Sequence, residues 1–312
     1  MVMENFLYEI VPILDIKKAD QALNITDVSP LHAAYVNKHG KSLKDDIRLL
    51  KQFCRAQKVY GAESFIQGFS GYICELLVIA YGGFLPLMKA AAKWKDKVVL
   101  DVAGHWKGKD VLMELNKSKL ISPLVIVDPV QKDRNAGAAV SVEKFEAFKA
   151  ACKVFLRKPS KELFEVNVLS MEEIKKANAK EHVIEVKIKP HSGKRDVVGC
   201  QLIKGLEHIQ AQLQRHEFTL LDSGLEFGKD VFYFLVLKNE KLSKTVEREG
   251  PPLDRKEHVE QFKKKHKKSV VRKGRVIGVD VRKYMEPDAL LNELKKDKYM
   301  KEKMKGFSVK CL

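Results

Sequence analysis

Apolar residues recur along this chain with changing period, and the changes mark its elements. Phe6 to Ile16 is a mostly apolar run with Glu9 embedded and Pro12 interrupting it. That pattern predicts a strand ending near the proline. A polar connector follows to about Ser42. Leu43, Ile47, Leu50 and Cys54 then recur at helical spacing on one face. Lys51 lies beside that stripe, where its ammonium can leave the core edge and reach a cleft. Gly68 and Gly71 bracket a tight loop opening into an apolar helix from Tyr72 to about Tyr81, with Ser70 as its N-cap and Gly82-Gly83 as its stop. A further helix is expected over Phe84 to Trp94, and strands over Val98 to Val102 and Leu124 to Val127. Phe145, Phe148, Cys152 and Phe155 mark another amphipathic helix.

Beyond Lys158-Pro159-Ser160 the pattern changes. Glu162 to Lys176 reads as partly helical. His182 to Lys189 alternates apolar and polar, which predicts a half-buried strand. Pro190 to Gly199 reads as a loop, and Leu202, Ile203, Leu206, Ile209 and Leu213 as a helical stripe. Phe218 to Leu221 and Val231 to Leu237 read as strands joined through Ser223-Gly224 and Gly228-Lys229. A strand at Val276 to Val281 and a helix from Pro287 to about Lys305 follow. The class is α+β, multidomain, and strand–helix–strand–strand suggests a ferredoxin-like sandwich in the second half.

Composition narrows the picture. The 312 residues are 45% apolar and 32% charged, a globular balance with room for two or three domains. The longest apolar stretch, Ile73 to Phe84, is broken by Glu75 and Gly82-Gly83 and is too short for a bilayer span. The expectation is therefore a cytoplasmic protein without a membrane partner or signal peptide. Five scattered cysteines lack any C-x-x-C pair, which argues against a zinc site and for buried thiols in a reducing compartment. The net charge is +17, and residues 251–312 carry 19 basic against 9 acidic side chains. From Lys263 to Arg275, eight of thirteen residues are Lys or Arg: Lys263, Lys264, Lys265, Lys267, Lys268, Arg272, Lys273 and Arg275. Such a concentration suits a phosphate-rich polymer bound in a salt-dependent manner.

No local motif names a reaction. Gly68-Phe69-Ser70-Gly71 has its second glycine one residue too early for a G-x-S-x-G nucleophile, and there is no Walker loop or dinucleotide fingerprint. Taken singly, Glu9 reads as an outward residue of an edge strand or a metal ligand. His32 reads as a turn residue, Lys51 as a helix-rim cation, Tyr60 as a packing residue at a helix end, and Arg134 as a loop cation.

Order and spacing join these residues. Asp27-x-Ser29-Pro30-x-His32, Arg48-Leu49-Leu50-Lys51-x-Phe53, Tyr60-Gly61-Ala62-Glu63 and Gly68 through Leu77 resemble the archaeal-type (class I) CCA-adding tRNA nucleotidyltransferases. Val127-Asp128-Pro129-Val130 with Arg134-Asn135, then Lys189-Pro190, Gly250-Pro251-Pro252 and Arg282-Lys283-Tyr284, resemble later landmarks. Glu9-Ile10-Val11-Pro12 is similar to the last strand of the family's catalytic head, with Glu in place of Asp. Val28 and Ser29 replace the family's Arg and Thr.

The resemblance implies an enzyme that adds C, C and A to tRNA 3′ ends from CTP and ATP, with Mg²⁺ held by head-domain carboxylates. By position, Lys51 and Tyr60 would hold the triphosphate, and Ser29 and His32 would lie beside the ribose and phosphates. Arg134 would face the base edge, and Glu9 would stand as third metal carboxylate. The basic residues from Lys263 to Arg275 would grip tRNA. The implied layout is a remnant of the head over 1–40, a mostly helical nucleotide-contacting neck over 41–160, a ferredoxin-like body over 161–250 and a basic RNA-binding tail over 251–312. The head's Gly-Ser loop and paired carboxylates are missing from this sequence. The expectation is thus a split or partial enzyme, inactive alone, completed by a separate head polypeptide. Its other implied partners are the acceptor stem and T-arm of tRNA, with a homodimer left open. The alternative is a non-catalytic tRNA-binding module or an inactive truncated fragment.

Overall fold

The computed structural model describes residues 2–3, 6–7, 10–167, 170–266 and 268–312. Two expected site residues, Glu9 and Lys267, lie outside the described residues. The chain forms an α+β multidomain structure with two compact units, Met1–Val168 and Leu169–Leu312.

The first unit begins with two short paired strands, β1 (Val2–Met3) and β2 (Phe6–Leu7). The expected strand does not continue through residues 10–16. There the Leu14 N–H donates instead to Asp27 Oδ1, at 3.0 Å, and the Ile16 N–H turns back to Leu14 O. The stretch read as a polar connector contains a helix, α1 (Ser29–His39), which buries none of its residues and so carries no apolar stripe to reveal it. Its start is fixed by Asp27, whose carboxylate accepts N–H groups of Leu14, Leu23 and Asn24. Pro30 falls in the first turn, where its missing N–H costs nothing.

The helices α2 (Lys44–Ala56), α3 (Gly71–Tyr81), α4 (Phe84–Ala91) and α6 (Val142–Arg157) build the main core of this unit. Ser70 caps α3 as expected, its hydroxyl accepting the Ile73 N–H, and Gly82 ends the helix at φ +75°. Asp46 of α2 caps α4 through the Phe84 N–H. Phe53 is fully buried at the centre of the core, ringed by Phe84, Phe148, Phe155 and Phe164 at 5.4–6.3 Å. Two parallel strands, β3 (Val98–Asp101) and β4 (Leu124–Val127), are joined through the short helix α5 (Val111–Glu114). All four β4 residues are buried, because alternate side chains feed two clusters. Leu124 and Ile126 join the helical core, and Val125 and Val127 pack with Val111 and Leu115.

The second unit starts with α7 (Met171–Ala177) and centres on an antiparallel sheet of order β11-β5-β7-β6. Its strands are β5 (His182–Lys189), β6 (Leu220–Phe227), β7 (Val231–Leu237) and β11 (Gly306–Cys311). The helix α8 (Arg195–Arg215) lies on one face, starting earlier than its apolar stripe suggests. Strand β5 is not half-buried: Val183 through Val186 are all covered, because Met171 and Ile174 of α7 pack on the face opposite α8. Nor is Ser223-Gly224 a turn. It continues β6, and Gly224 is required there because a Cβ would sit 2.4 Å from the Phe234 ring across the pair.

A smaller sheet of order β8-β10-β9 uses β8 (Thr245–Pro252), β9 (Ser269–Arg272) and β10 (Arg275–Val281), with α9 (Lys256–Lys265) beside it. The Gly-Pro-Pro landmark lies in β8, an edge strand where proline is tolerated. Gly250 lets the Phe262 ring approach, since a Cβ would meet it at 2.7 Å. The expected last helix is two, α10 (Pro287–Leu294) and α11 (Lys298–Lys303). Asp297 breaks it by capping a new helix through the Met300 N–H. The far end of the expected tail then supplies β11 to the larger sheet.

Candidate functional site

Three loops of the first unit build the site, two of them reaching the start of α3. Buried Asn135 organises one: its Oδ1 accepts the Ile126 and Gly137 N–H groups, and its Nδ2 donates to Lys119 O. That clamp holds the 128–134 loop against the end of β4, with the Asp128 N–H donating to Arg134 O. A second loop is tied to it by His105 Nε2 against Pro129 O and by the Trp106 Nε1–H donating to Lys132 O. The third, residues 59–69, folds on itself through a Tyr60–Phe69 bridge. Tyr60 therefore sits in an extended bridge, not at a helix end.

Asp128 is the hub. Its carboxylate is fully buried. Oδ2 lies 3.0 Å from His32 Nε2 and accepts Arg134 Nη1–H at 2.5 Å. Oδ1 accepts the Val130 N–H at 2.9 Å and the Tyr72 hydroxyl at 3.2 Å. Burial pushes this carboxyl's pKa up. The His32 contact, the Val130 N–H and Arg134 outweigh that and hold it at about 2. Burial, then the charge of Asp128, pushes the Tyr72 hydroxyl well above the usual phenol range. The His32 and Tyr72 rings lie 4.3 Å apart, tilted by 31°. His32 is thus a helical residue of α1, not a turn residue, and reaches across to the 128–134 loop.

One residue along, Gly71 marks a second cluster. Lys51 Nζ pairs with Glu75 Oε1 at 2.7 Å, both side chains 23% exposed. A Cβ on Gly71 would stand 3.0 Å from the Tyr60 hydroxyl and 3.6 Å from Lys51 Nζ. The absent side chain lets the Lys51 ammonium and the Tyr60 phenol approach the start of α3. First-turn N–H groups lack intrahelical acceptors and favour anions. Arg55 covers the outer face of the Tyr60 ring at 4.4 Å.

The structure therefore gathers His32 with Arg134, and Lys51 with Tyr60, on either side of the Gly71–Tyr72 step. Ser29 stands exposed one turn before His32 on α1. Asp128, Tyr72 and Glu75 were not singled out from sequence as site residues. The signal for Asp128 was a carboxylate ending a wholly apolar strand. A cleft of about 620 Å³ beside the hub is lined by Lys17, Lys18, Tyr35, Val130 and Lys132 among others. The two carboxylates of the site, Asp128 and Glu75, are spent on His32, Arg134, Tyr72 and Lys51. Among the described residues they do not fit a magnesium ion.

The basic stretch is spread over three elements. Lys263, Lys264 and Lys265 form the last turn of α9, and Lys268 precedes β9. Arg272, Lys273 and Arg275 surround the β9–β10 turn, with Gly274 at φ +75°. Arg272 pairs with Glu247 at 2.9 Å and Arg275 with Glu249 at 3.2 Å, so part of the positive charge is answered by β8.

Comparison with known proteins covers both units. Residues 45–165 match the family described as tRNA nucleotidyltransferase, second domain, and residues 181–308 match the CCA-adding enzyme, C-terminal domain. The CCA-adding enzyme of Methanosarcina acetivorans is 33% identical over 272 residues, which are 85% of this chain and 58% of that protein. That of Methanosarcina mazei is 32% identical over 305 residues, 94% of this chain and 65% of that protein. That of Nanoarchaeum equitans is 31% identical over 270 residues, 86% and 65% respectively. The chain thus spans about three fifths of the length of these relatives.

Proposed function

We infer, from a chain that belongs to the CCA-adding tRNA nucleotidyltransferase family through its second and C-terminal domains, that it binds CTP, ATP and tRNA for CCA addition. The observation that carries this is the close approach of Lys51 and Tyr60 to Gly71 at the start of α3, one residue from the Tyr72 that reaches the Asp128 hub. Two kinds of donor meet there, a point charge and a phenol, beside a helix N-terminus. That set matches a triphosphate.

In the reading we propose, the incoming triphosphate draws Lys51 from Glu75. Arg134 is anchored by one N–H to Asp128 and keeps further guanidinium donors for the acceptor edge of a cytosine or adenine base. His32 and Tyr72 brace the Asp128 carboxylate that fixes Arg134. The tRNA 3′ hydroxyl oxygen forms its bond to the α-phosphate and gives up its proton to solvent, while the bond from the α-phosphate to the bridging oxygen breaks and pyrophosphate leaves. We propose that a head-domain polypeptide would supply the carboxylates that hold Mg²⁺, which would neutralise the phosphate charge during this step. The second unit would hold the acceptor stem and T-arm by phosphate and A-form shape, with the α9 lysines and the β9–β10 turn as contacts. A cytoplasmic location accompanies this reading.

The test is extension of a tRNA transcript lacking its 3′ CCA, with CTP, ATP and magnesium, by the chain alone and mixed with a head-domain polypeptide. Extension in the mixture that is lost on Lys51→Ala supports the reading. Salt-sensitive tRNA binding with no nucleotide dependence in any mixture would favour a binding module instead.

A further inference from the structure

Three side chains in the second unit, spaced far apart in sequence, meet at the margin of the larger sheet. His182 opens β5, Cys311 ends β11, and Asp288 lies in the first turn of α10. The antiparallel register sets Cys311 opposite Ile184, and the Leu312 N–H donates to Val183 O at 3.0 Å. The start of one strand is thereby held beside the end of its neighbour. One ligand atom from each of His182, Asp288 and Cys311 lies within 4.8 Å of the others.

Two of the polar atoms here are left without a partner. His182 Nε2 stands 3.6 Å from Asp288 Oδ1, too far for a hydrogen bond. Both atoms are shut from solvent with no hydrogen-bond partner among the described residues. A nitrogen and a carboxylate oxygen that are buried, unpartnered and just out of mutual reach call for something between them. The Cys311 thiol donates to the other carboxylate oxygen, Asp288 Oδ2, at 2.7 Å.

We propose that His182, Asp288 and Cys311 bind a zinc ion. Zinc takes imidazole nitrogen, thiolate sulfur and carboxylate oxygen at about 2.0–2.3 Å in a tetrahedron. Two such ligands then lie roughly 3.3–3.7 Å apart, the spacing found between His182 and Asp288. The Cys311 contact opens by rotation about its own side chain to reach the same edge length. Thiolate with imidazole selects zinc over magnesium or calcium. On binding, the Cys311 S–H proton passes to solvent and His182 ligates as neutral imidazole through Nε2. Cys311 is exposed, so water completes the fourth position. Glu286 also acts on Cys311 through its charge and adds a carboxylate to the surroundings of a dication. The ion would tie β5, α10 and β11 together, a structural role independent of the nucleotide reading.

The test uses the full chain stripped with chelator and titrated with cobalt(II), a spectroscopic substitute for zinc. The expected result is one equivalent bound with a sulfur-to-cobalt charge-transfer band, bleached by added zinc. Cys311→Ser removes the band, Cys200→Ser leaves it, and His182→Ala and Asp288→Asn each weaken binding at least about tenfold. Zinc should also raise the melting of the second unit by circular dichroism. It should leave tryptophan fluorescence unmoved, because Trp94 and Trp106 both lie in the first unit. A band that never forms, a band that survives Cys311→Ser, or an affinity unchanged in His182→Ala in a variant with the native dichroism spectrum would overturn the proposal.

Discussion

Asp128→Asn is the perturbation that most directly interrogates the hub. The wild-type carboxyl falls from an ordinary 3.8 to about 2 on folding, which corresponds to about 2 kcal/mol of preferential stabilisation of the ionised form. The amide keeps an oxygen for the Val130 N–H and the Tyr72 hydroxyl. It presents an NH₂ group toward His32 and Arg134, where a carboxylate oxygen had answered both. Leaving one partner of a buried ion pair uncompensated costs about 3–5 kcal/mol, and the half-exposed Arg134 can recover part of that from water. The expected loss is about 2–4 kcal/mol. Urea unfolding followed by tryptophan fluorescence measures it, since both tryptophans report on this unit. The pH dependence carries the sign. A depressed carboxyl stabilises the fold fully above its unfolded pKa, near 4, and loses that contribution as pH falls through about 2. The gap between wild type and Asp128→Asn should therefore narrow by about 2 kcal/mol as pH falls from about 4 to 2. A loss under about 0.5 kcal/mol, or a gap that does not change with pH, would refute the hub as described.

Lys51→Ala should weaken CTP and ATP binding at least about tenfold in calorimetry. It should shift stability by only about 1 kcal/mol, because the Lys51–Glu75 pair is solvent-accessible at both ends. Gly224→Ala should destabilise the second unit by about 1–3 kcal/mol through the Phe234 ring it meets, seen by circular dichroism with tryptophan fluorescence unchanged. Replacing Lys263, Lys264 and Lys265 together with alanine should flatten the salt dependence of tRNA binding by a slope of roughly 2–3, read from filter-binding titrations. Cys152, buried and pushed up to about 12 by that burial, should resist alkylation at pH 8 until the chain unfolds, as mass spectrometry of the labelled protein would show.

Local pattern carried the elements that bury a single clear face. The stripe through Ile47, Leu50 and Cys54, the Ser70 cap and the Gly82 stop each act within one turn of their own position, so the sequence reads them without help. The helix α1 escaped because it buries nothing, and β11 because its Phe307–Val309 alternation is short and follows a helix-forming run. The double burial of β5 depended on α7 covering its second face, a contact between segments that alternation along β5 cannot encode.

The family landmarks placed Lys51, Tyr60, His32 and Arg134 in order along the chain, because each motif is contiguous. Their assembly was decided only by tertiary structure. Asp128 is an ordinary aspartate after an apolar strand until α1 and α3 bring His32 and Tyr72 onto its two oxygens. The missing side chain of Gly71 matters only once Lys51 and Tyr60 pack against it. His182, Asp288 and Cys311 offer no sequence spacing at all, since strand register and a helix start bring them together. Periodicity and caps are set by nearest neighbours in the chain. Charge networks are set by which distant segments share a core, and that is known only when the chain has folded.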